Sequence, residues 1–123
     1  MGLNKAAAIG IMANIQAESE FNISAGSKNG AYGLCQWCGS RRNSLLSWSW
    51  DPGIEIQLAF IKHELENGYT DVLNVLKSVE DTEDGAAYAA YYFCKYYERP
   101  SNVEWKGQYR AGIAREFWSQ FEV

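Results

Sequence analysis

A single glutamate at the end of an apolar segment is the first candidate for chemistry in this sequence. Glu18 follows an apolar run that begins at Ala6, and a polar segment with several glycines comes directly after it. A carboxyl group at the rim of a pocket stays protonated near neutral pH when apolar neighbours desolvate it, and it can then act as a general acid. Asn14 lies one helical turn earlier on the same side, so its amide is placed to orient this carboxyl group. The competing interpretation is a solvated glutamate at a helix end, which is the more common situation.

Helices are the elements that must position this carboxyl group, because apolar residues recur at helical spacing along most of the chain. Alanine and other strong helix formers fill the first of these segments. Clusters of turn residues separate the segments from one another. We predict helices at 4–17, 43–50, 54–67, 70–79, 86–97 and 104–121, with a loop or short hairpin at 20–33. In the last helix, we expect Tyr109, Ile113, Phe117 and Phe121 to close the core.

Length and charge limit the classes of protein to consider. The 123 residues suit one domain, 1–123, since domains contain roughly 100 to 200 residues. The net charge of −4 and the absence of a basic stripe argue against a nucleic-acid partner. No run approaches the ~20 apolar residues of a membrane span, and the start lacks the pattern of a secretory signal. We therefore expect neither a nucleic acid nor a membrane as partner, and another agent must deliver the chain if it acts outside a cell.

The cysteines indicate neither a disulfide framework nor a metal centre. There are three of them, Cys35, Cys38 and Cys94, and an odd number leaves at least one unpaired. Cys35 and Cys38 have CxxC spacing, but a structural zinc ion takes four ligands, and only Cys94 and the single histidine, His63, remain to supply them. We expect no metal and no cofactor.

Beyond these properties, the spacing of residues after the first helix resembles a known signature. Glu18-Ser19, Ser27, the segment GAYGL at 30–34 and Gln36 are similar to the ES…S..GA.GL.Q pattern of lytic transglycosylases and goose-type lysozymes. The segments KAAAIGIMANIQAESEFN, GAYGLCQWCGSRR and YYERP resemble the phage tail lysozyme family, so the similarity extends to about Pro100. One departure is Cys35, which stands where transglycosylases usually carry methionine; their downstream tyrosine motif is also not clearly present.

The resemblance implies a mainly α, lysozyme-like domain with a short loop or hairpin after the catalytic helix. It also implies cleavage of the β-1,4 bond between N-acetylmuramic acid and N-acetylglucosamine in peptidoglycan, with Glu18 as general acid. Members are often modules of phage tail proteins or endolysins. The expected partners are therefore peptidoglycan strands and other domains of such a protein, and the expected place of action is the bacterial cell wall, with the chain tail-associated or released.

The same resemblance and the side-chain chemistry suggest residues that contact the substrate. Ser27 corresponds to a serine that supports the catalytic glutamate, although it is equally an ordinary turn serine. The amide of Gln36 suits sugar hydroxyl or N-acetyl groups. Trp37 offers an indole face to a pyranose, and its competing interpretation is a core anchor. Tyr32 lies in the GAYGL segment, and Tyr97 belongs to a tyrosine-rich helix whose phenols need partners or water.

A second carboxylate decides the outcome of the reaction. If a second carboxyl group lies about 6.5 to 9.5 Å from the first and holds a water on the opposite face of the sugar, hydrolysis with inversion follows. Without one, Glu18 turns base and the muramic C6 hydroxyl closes a 1,6-anhydro ring, which is the lytic transglycosylase outcome. Glu98, Glu20 and Asp51 are the candidates, in that order. The resemblance to lysozymes favours hydrolysis.

Two functions from other classes compete with an enzyme. One is a non-catalytic module that holds glycan without cleaving it, which would have no need of a shielded acid. The other is a purely structural helical domain, which the polar, glycine-rich segment after Glu18 disfavours.

Overall fold

Helices dominate the structure, a computed structural model that describes residues 2–26 and 30–121. Within these residues the α-helices are α1 (Lys5–Ser19), α2 (Gly39–Trp48), α3 (Ile54–Asn67), α4 (Thr70–Ser78), α5 (Glu83–Phe93) and α6 (Val103–Gln120). A π-helical turn at Cys94–Glu98 continues α5. The predicted mainly α fold class is confirmed, and no helix in the described part has the length and hydropathy to cross a membrane.

Helix α1 is the centre of the packing, as its apolar composition predicts. The side chain of Asn4 caps its N-terminus by accepting a hydrogen bond from the amide of Ala7. Its contacts are with α5 and α6. A Cβ atom at Gly10 would lie 2.6 Å from the Cβ of Ala89 in α5, so only glycine permits this separation of the two helices.

Residues 20–26 and 30–38, between α1 and α2, form an irregular hairpin, in agreement with the predicted loop or short hairpin. Tyr32 forms isolated antiparallel bridges with Gly26 and with Trp37. Gly33 has a φ of 83°, and a Cβ atom there would lie 2.6 Å from Oε1 of Gln57. That oxygen accepts a hydrogen bond from the amide of Leu34. Helix α3, which carries Gln57, therefore holds the hairpin in place below α1.

Helix α6 contacts the core through small residues, and here the predicted core face was wrong. Tyr109 and Phe121 are 56% and 41% exposed. The buried positions include Gly107, Ala111 and Ala114. A Cβ atom at Gly107 would lie 2.7 Å from Tyr91 of α5, so the helices pack too closely there for large side chains. The large aromatic residues of α6 consequently lie on other faces, and Ile113 and Phe117 are only partly buried.

Candidate active site

An open cleft of about 780 Å³ lies at the C-terminal end of α1. One wall is the hairpin and the start of α2, with Gln36 and Arg41, and the other is the segment from Glu98 to Ser101 with the first turns of α6. Glu18 lines the cleft from the end of α1, and Glu98 lines it from the end of the π-helical turn. The structure therefore places two glutamates that are 80 positions apart in the sequence on the lining of one cleft.

Glu18 is paired with a buried arginine. Its side chain is 16% exposed, and its Oε1 accepts a hydrogen bond of 2.6 Å from Nη2 of Arg110 in α6. The C-terminal end of a helix carries a partial negative charge, which the guanidinium offsets. Arg110 was not predicted from the sequence, and no local signal identifies it, because the two residues are 92 positions apart. Asn14, which was expected to orient Glu18, instead contacts Arg110 through its Oδ1 at 2.9 Å.

Glu98 shows the desolvation that was predicted for Glu18, although charged and polar groups lie around it. Its Oε1 is buried and has no hydrogen-bond partner among the described residues. Burial raises the pKa of Glu98 well above its ordinary value, and the negative charge of Glu18 raises it further. Arg110 and a hydrogen bond with Cys35 oppose this shift. The surroundings of Glu98 therefore favour the protonated form of its carboxyl group.

Ser19 joins the end of α1 to the hairpin. Its hydroxyl group donates to the carbonyl oxygens of Leu34, at 2.9 Å, and of Ile15, at 3.2 Å. Because Ser19 follows Glu18 directly, these contacts set the position of the glutamate relative to the opposite wall of the cleft. These hydrogen bonds explain why a serine follows the glutamate in the sequence signature.

The other predicted site residues have different positions. Gln36 lines the cleft, but its Nε2 donates to the carbonyl oxygens of Ala25 and Gly33, so this amide also holds the hairpin together. Ser27 lies outside the described residues. Tyr32 is half-buried and does not line the cleft.

Trp37 and Tyr97 correct the prediction that they bind sugar. They are 1% and 0% exposed, so neither ring has a face available to a pyranose. Their polar atoms meet each other and Glu64: the indole Nε1 of Trp37 and the hydroxyl of Tyr97 both donate to its Oε1. Arg41 completes the group with hydrogen bonds of 2.8 and 2.9 Å to the same carboxylate. These residues support the cleft wall from inside.

The remaining candidates for the second carboxylate are distant from the cleft or absent from its lining. Glu20 and Asp51 are exposed, and neither lines the cleft. Glu98 is thus the candidate that shares the cleft with Glu18.

Cys35 and Cys38 also line the cleft, and all three cysteines are free thiols. The described residues contain no group of three or more His, Cys, Asp or Glu side chains arranged to hold a metal ion.

Comparison with known families identifies the family of the chain. The family model for phage tail lysozyme matches residues 1–121 of the 123. None of the curated proteins matches the chain. The family match supports a lysozyme-like, peptidoglycan-cleaving enzyme in general. Together with the helical fold, it shows that the chain belongs to the phage tail lysozyme family.

Proposed function

We propose that this protein is a muramidase that cleaves the β-1,4 bond between N-acetylmuramic acid and N-acetylglucosamine. The observation that carries the proposal is the pair formed by Glu18 and Glu98, which line one open cleft in contrasting surroundings. One carboxyl group is paired with a guanidinium, and the other is buried with a raised pKa. Environments that separate two carboxyl groups in this way are typical of acid and base partners.

In the proposed reaction, Glu18 is the general acid. It gives its proton to the glycosidic oxygen, the bond to the muramic C1 breaks, and the glucosaminyl residue leaves as an alcohol. Positive charge develops at C1 and the ring oxygen. A water molecule then attacks C1 from the opposite face and loses a proton to the second carboxylate, Glu98. The exposed fraction of the Glu18 side chain supports this assignment, because an acid must reach the glycosidic oxygen within about 2.6 to 3.2 Å.

The reversed roles are a second assignment, and the surroundings of the two carboxyl groups favour it. Burial holds a proton on Glu98, while Arg110 compensates a negative charge on Glu18. Glu98 would then be the acid, and Glu18 the base that activates water. In both assignments the pair carries one proton before reaction.

Substitution of each glutamate by glutamine, combined with two substrates, tests the proposal. Glu18→Gln removes a transferable proton with little change in shape, and we expect lysis of purified peptidoglycan to fall at least ~10²-fold. A nitrophenyl glycoside of a β-1,4-linked N-acetylglucosamine oligomer has a leaving group that needs no proton. The variant that lacks the acid should therefore retain cleavage of this substrate, and the variant that lacks the base should not.

Glu20→Gln is the matched control, since Glu20 is exposed, close to Glu18 in sequence and absent from the cleft lining. Activity on the nitrophenyl substrate in Glu98→Gln, but not in Glu18→Gln, would reverse the roles. Unchanged lysis by Glu18→Gln would contradict both assignments. Mass spectrometry of the muropeptides separates the outcomes: reducing ends indicate hydrolysis, and 1,6-anhydro ends indicate a transglycosylase. A wild-type protein that binds peptidoglycan without cleaving it would be a glycan-binding module.

A further inference from the structure

Arg110 is a buried cation for which the proposed reaction has so far no role. It is 4% exposed, although an arginine is almost never fully buried unless it is paired. Its Nη2 meets Glu18 at 2.6 Å and its Nη1 meets Asn14 at 2.9 Å. Its Nε is buried without a hydrogen-bond partner among residues 2–26 and 30–121. A group with this desolvation cost needs a compensating partner, and Glu18 is the one that carries charge.

Asn14 fixes the orientation of this arginine. The Nδ2 of Asn14 donates to the carbonyl oxygens of Gly10, at 2.9 Å, and Ala90, at 3.0 Å. With both amide hydrogens used on backbone atoms of α1 and α5, the Oδ1 can only face Arg110. The guanidinium is therefore held on one side by a rigid acceptor and presents its other terminal nitrogen to Glu18. The hydrogen bonds of Asn14 therefore join α1, α5 and α6.

The charges around Glu18 show what this contact does. Glu98, in the π-helical turn, is a second acid that faces Glu18. The thiols of Cys35 and Cys94 are neutral, because burial and the negative charge of Glu18 raise the pKa of each. Arg110 is the buried cation that contacts Glu18 directly. Arg41 also lowers the pKa of Glu98, but its own carboxylate partner is Glu64, and Lys106 lines the cleft. Two carboxyl groups that share one proton carry a charge of −1, which one guanidinium neutralises. Loss of the guanidinium would leave that charge buried, and a second proton would be favoured.

We propose that Arg110 is a positioning residue, which orients Glu18 and keeps the pair of Glu18 and Glu98 at one proton in the working pH range. This inference rests on the proposed function. Arg110 affects both the orientation of Glu18 and the protonation of the pair through one contact, because the same hydrogen bond supplies the geometry and the charge. An arginine with only a structural role would affect stability and leave the pH dependence of the reaction unchanged.

Two substitutions of Arg110 separate charge from geometry. In Arg110→Gln, we expect kcat to fall about 10²-fold with little change in KM, since misplaced catalytic groups cost about this much. We also expect its pH–kcat profile to move at least about one unit to higher pH, because a neighbouring cation favours ionised carboxylates. Arg110→Lys keeps the charge but cannot reach both partners with a planar fork. Its profile should keep the wild-type position while kcat falls.

The matched control is Arg115→Gln, because Arg115 lies in the same helix and pairs with Glu83 and Asp84 on the exposed surface. It should leave kcat and the pH profile unchanged. A folded Arg110→Gln protein with the wild-type profile would overturn the proposal. If this variant does not fold, Arg110→Lys decides: wild-type kcat in that variant would also overturn the proposal.

A measurement without substrate keeps this inference separate from the proposed function. Carbon-13 NMR of labelled glutamate side chains follows the protonation of Glu18 and Glu98 in the wild type and in Arg110→Gln. We expect the carboxyl titrations to move to higher pH in the variant, whether or not the protein cleaves peptidoglycan. Titrations that do not move would overturn the proposal. An inactive wild type with the expected movement would contradict the muramidase function alone.

Discussion

Glu98 and Glu18 show how strongly the immediate surroundings of a residue decide its chemistry. The sequence placed both among the candidates and predicted desolvation for Glu18, whereas the structure shows a buried carboxyl oxygen and a raised pKa for Glu98. Both are glutamates near the end of a helical segment, and their local sequences do not reveal which one a distant arginine will meet. Arg110 makes that difference, because it joins Glu18 from another helix.

The raised pKa of Glu98 predicts a pH dependence of stability. Its pKa is higher in the folded state than in the unfolded state, where a glutamate has a value of about 4.3. The native state therefore binds more protons, and the free energy of unfolding should fall as the pH rises between the two values, by at most about 1.4 kcal/mol per pH unit. Glu98→Gln should weaken this dependence. The melting temperature of the variant should therefore rise relative to that of the wild type between pH 5 and pH 8. Thermal unfolding of both proteins measures it, with Glu20→Gln as the exposed control. Parallel curves for Glu98→Gln and the wild type would contradict the prediction.

At the level of the elements, close packing of helices places Glu18 and Arg110 next to each other. The contact between α1 and α5 depends on Gly10, and the contact between α5 and α6 depends on Gly107. The helices were predicted from their apolar spacing, but the large aromatic residues of α6 were assigned to the core. Small residues make the contact instead, which brings the backbone of α6 close enough for Arg110 to reach Glu18. The π-helical turn at Cys94–Glu98 was likewise predicted only as the end of a regular helix.

Gly10→Ala tests the importance of this packing. The new methyl group would lie 2.6 Å from the Cβ of Ala89 and 2.7 Å from the backbone nitrogen of Ala90, which cannot move independently of α5. We expect the free energy of unfolding to fall by about 1–3 kcal/mol, as for other overpacked cores. Gly112→Ala in α6 is the control, since a Cβ atom there meets nothing within 4 Å. Chemical denaturation should show that variant unchanged or up to about 1 kcal/mol more stable. Equal effects of the two substitutions would contradict the packing argument.

In the whole molecule, buried polar side chains connect parts that are distant in sequence. Gln57 of α3 is the clearest case, because its Nε2 donates to the carbonyl oxygens of Ile23 and Pro52 while its Oε1 accepts from Leu34. It thereby links the hairpin wall of the cleft to α3 and to the turn that precedes α3. Helical spacing predicted the apolar residues of α3 but not this one, since a glutamine within a helix is usually exposed.

Gln57→Leu should loosen this connection. It leaves backbone groups without their buried partner, which costs about 1–3 kcal/mol for each unsatisfied group. We expect a lower melting temperature and faster amide exchange in the hairpin, with a loss of lytic activity. Gln108→Leu, at an exposed position of α6, is the control for the substitution itself. Hydrogen exchange followed by NMR would contradict the prediction if the hairpin amides, including that of Leu34, exchanged as slowly as in the wild type.

The sequence alone was sufficient for the mainly helical fold, the approximate helix bounds, the family and the two glutamates of the cleft. These properties depend on spacing within a segment or on a short motif, so neighbouring residues carry the information. Only the tertiary structure decided that Arg110 pairs with Glu18, that Glu98 is the buried acid and that Trp37 and Tyr97 belong to the core. An aromatic ring or a charged side chain is compatible with both a surface and an interior position. Which of these it occupies depends on how helices from distant parts of the chain pack, and on which side chains they bring within hydrogen-bond distance.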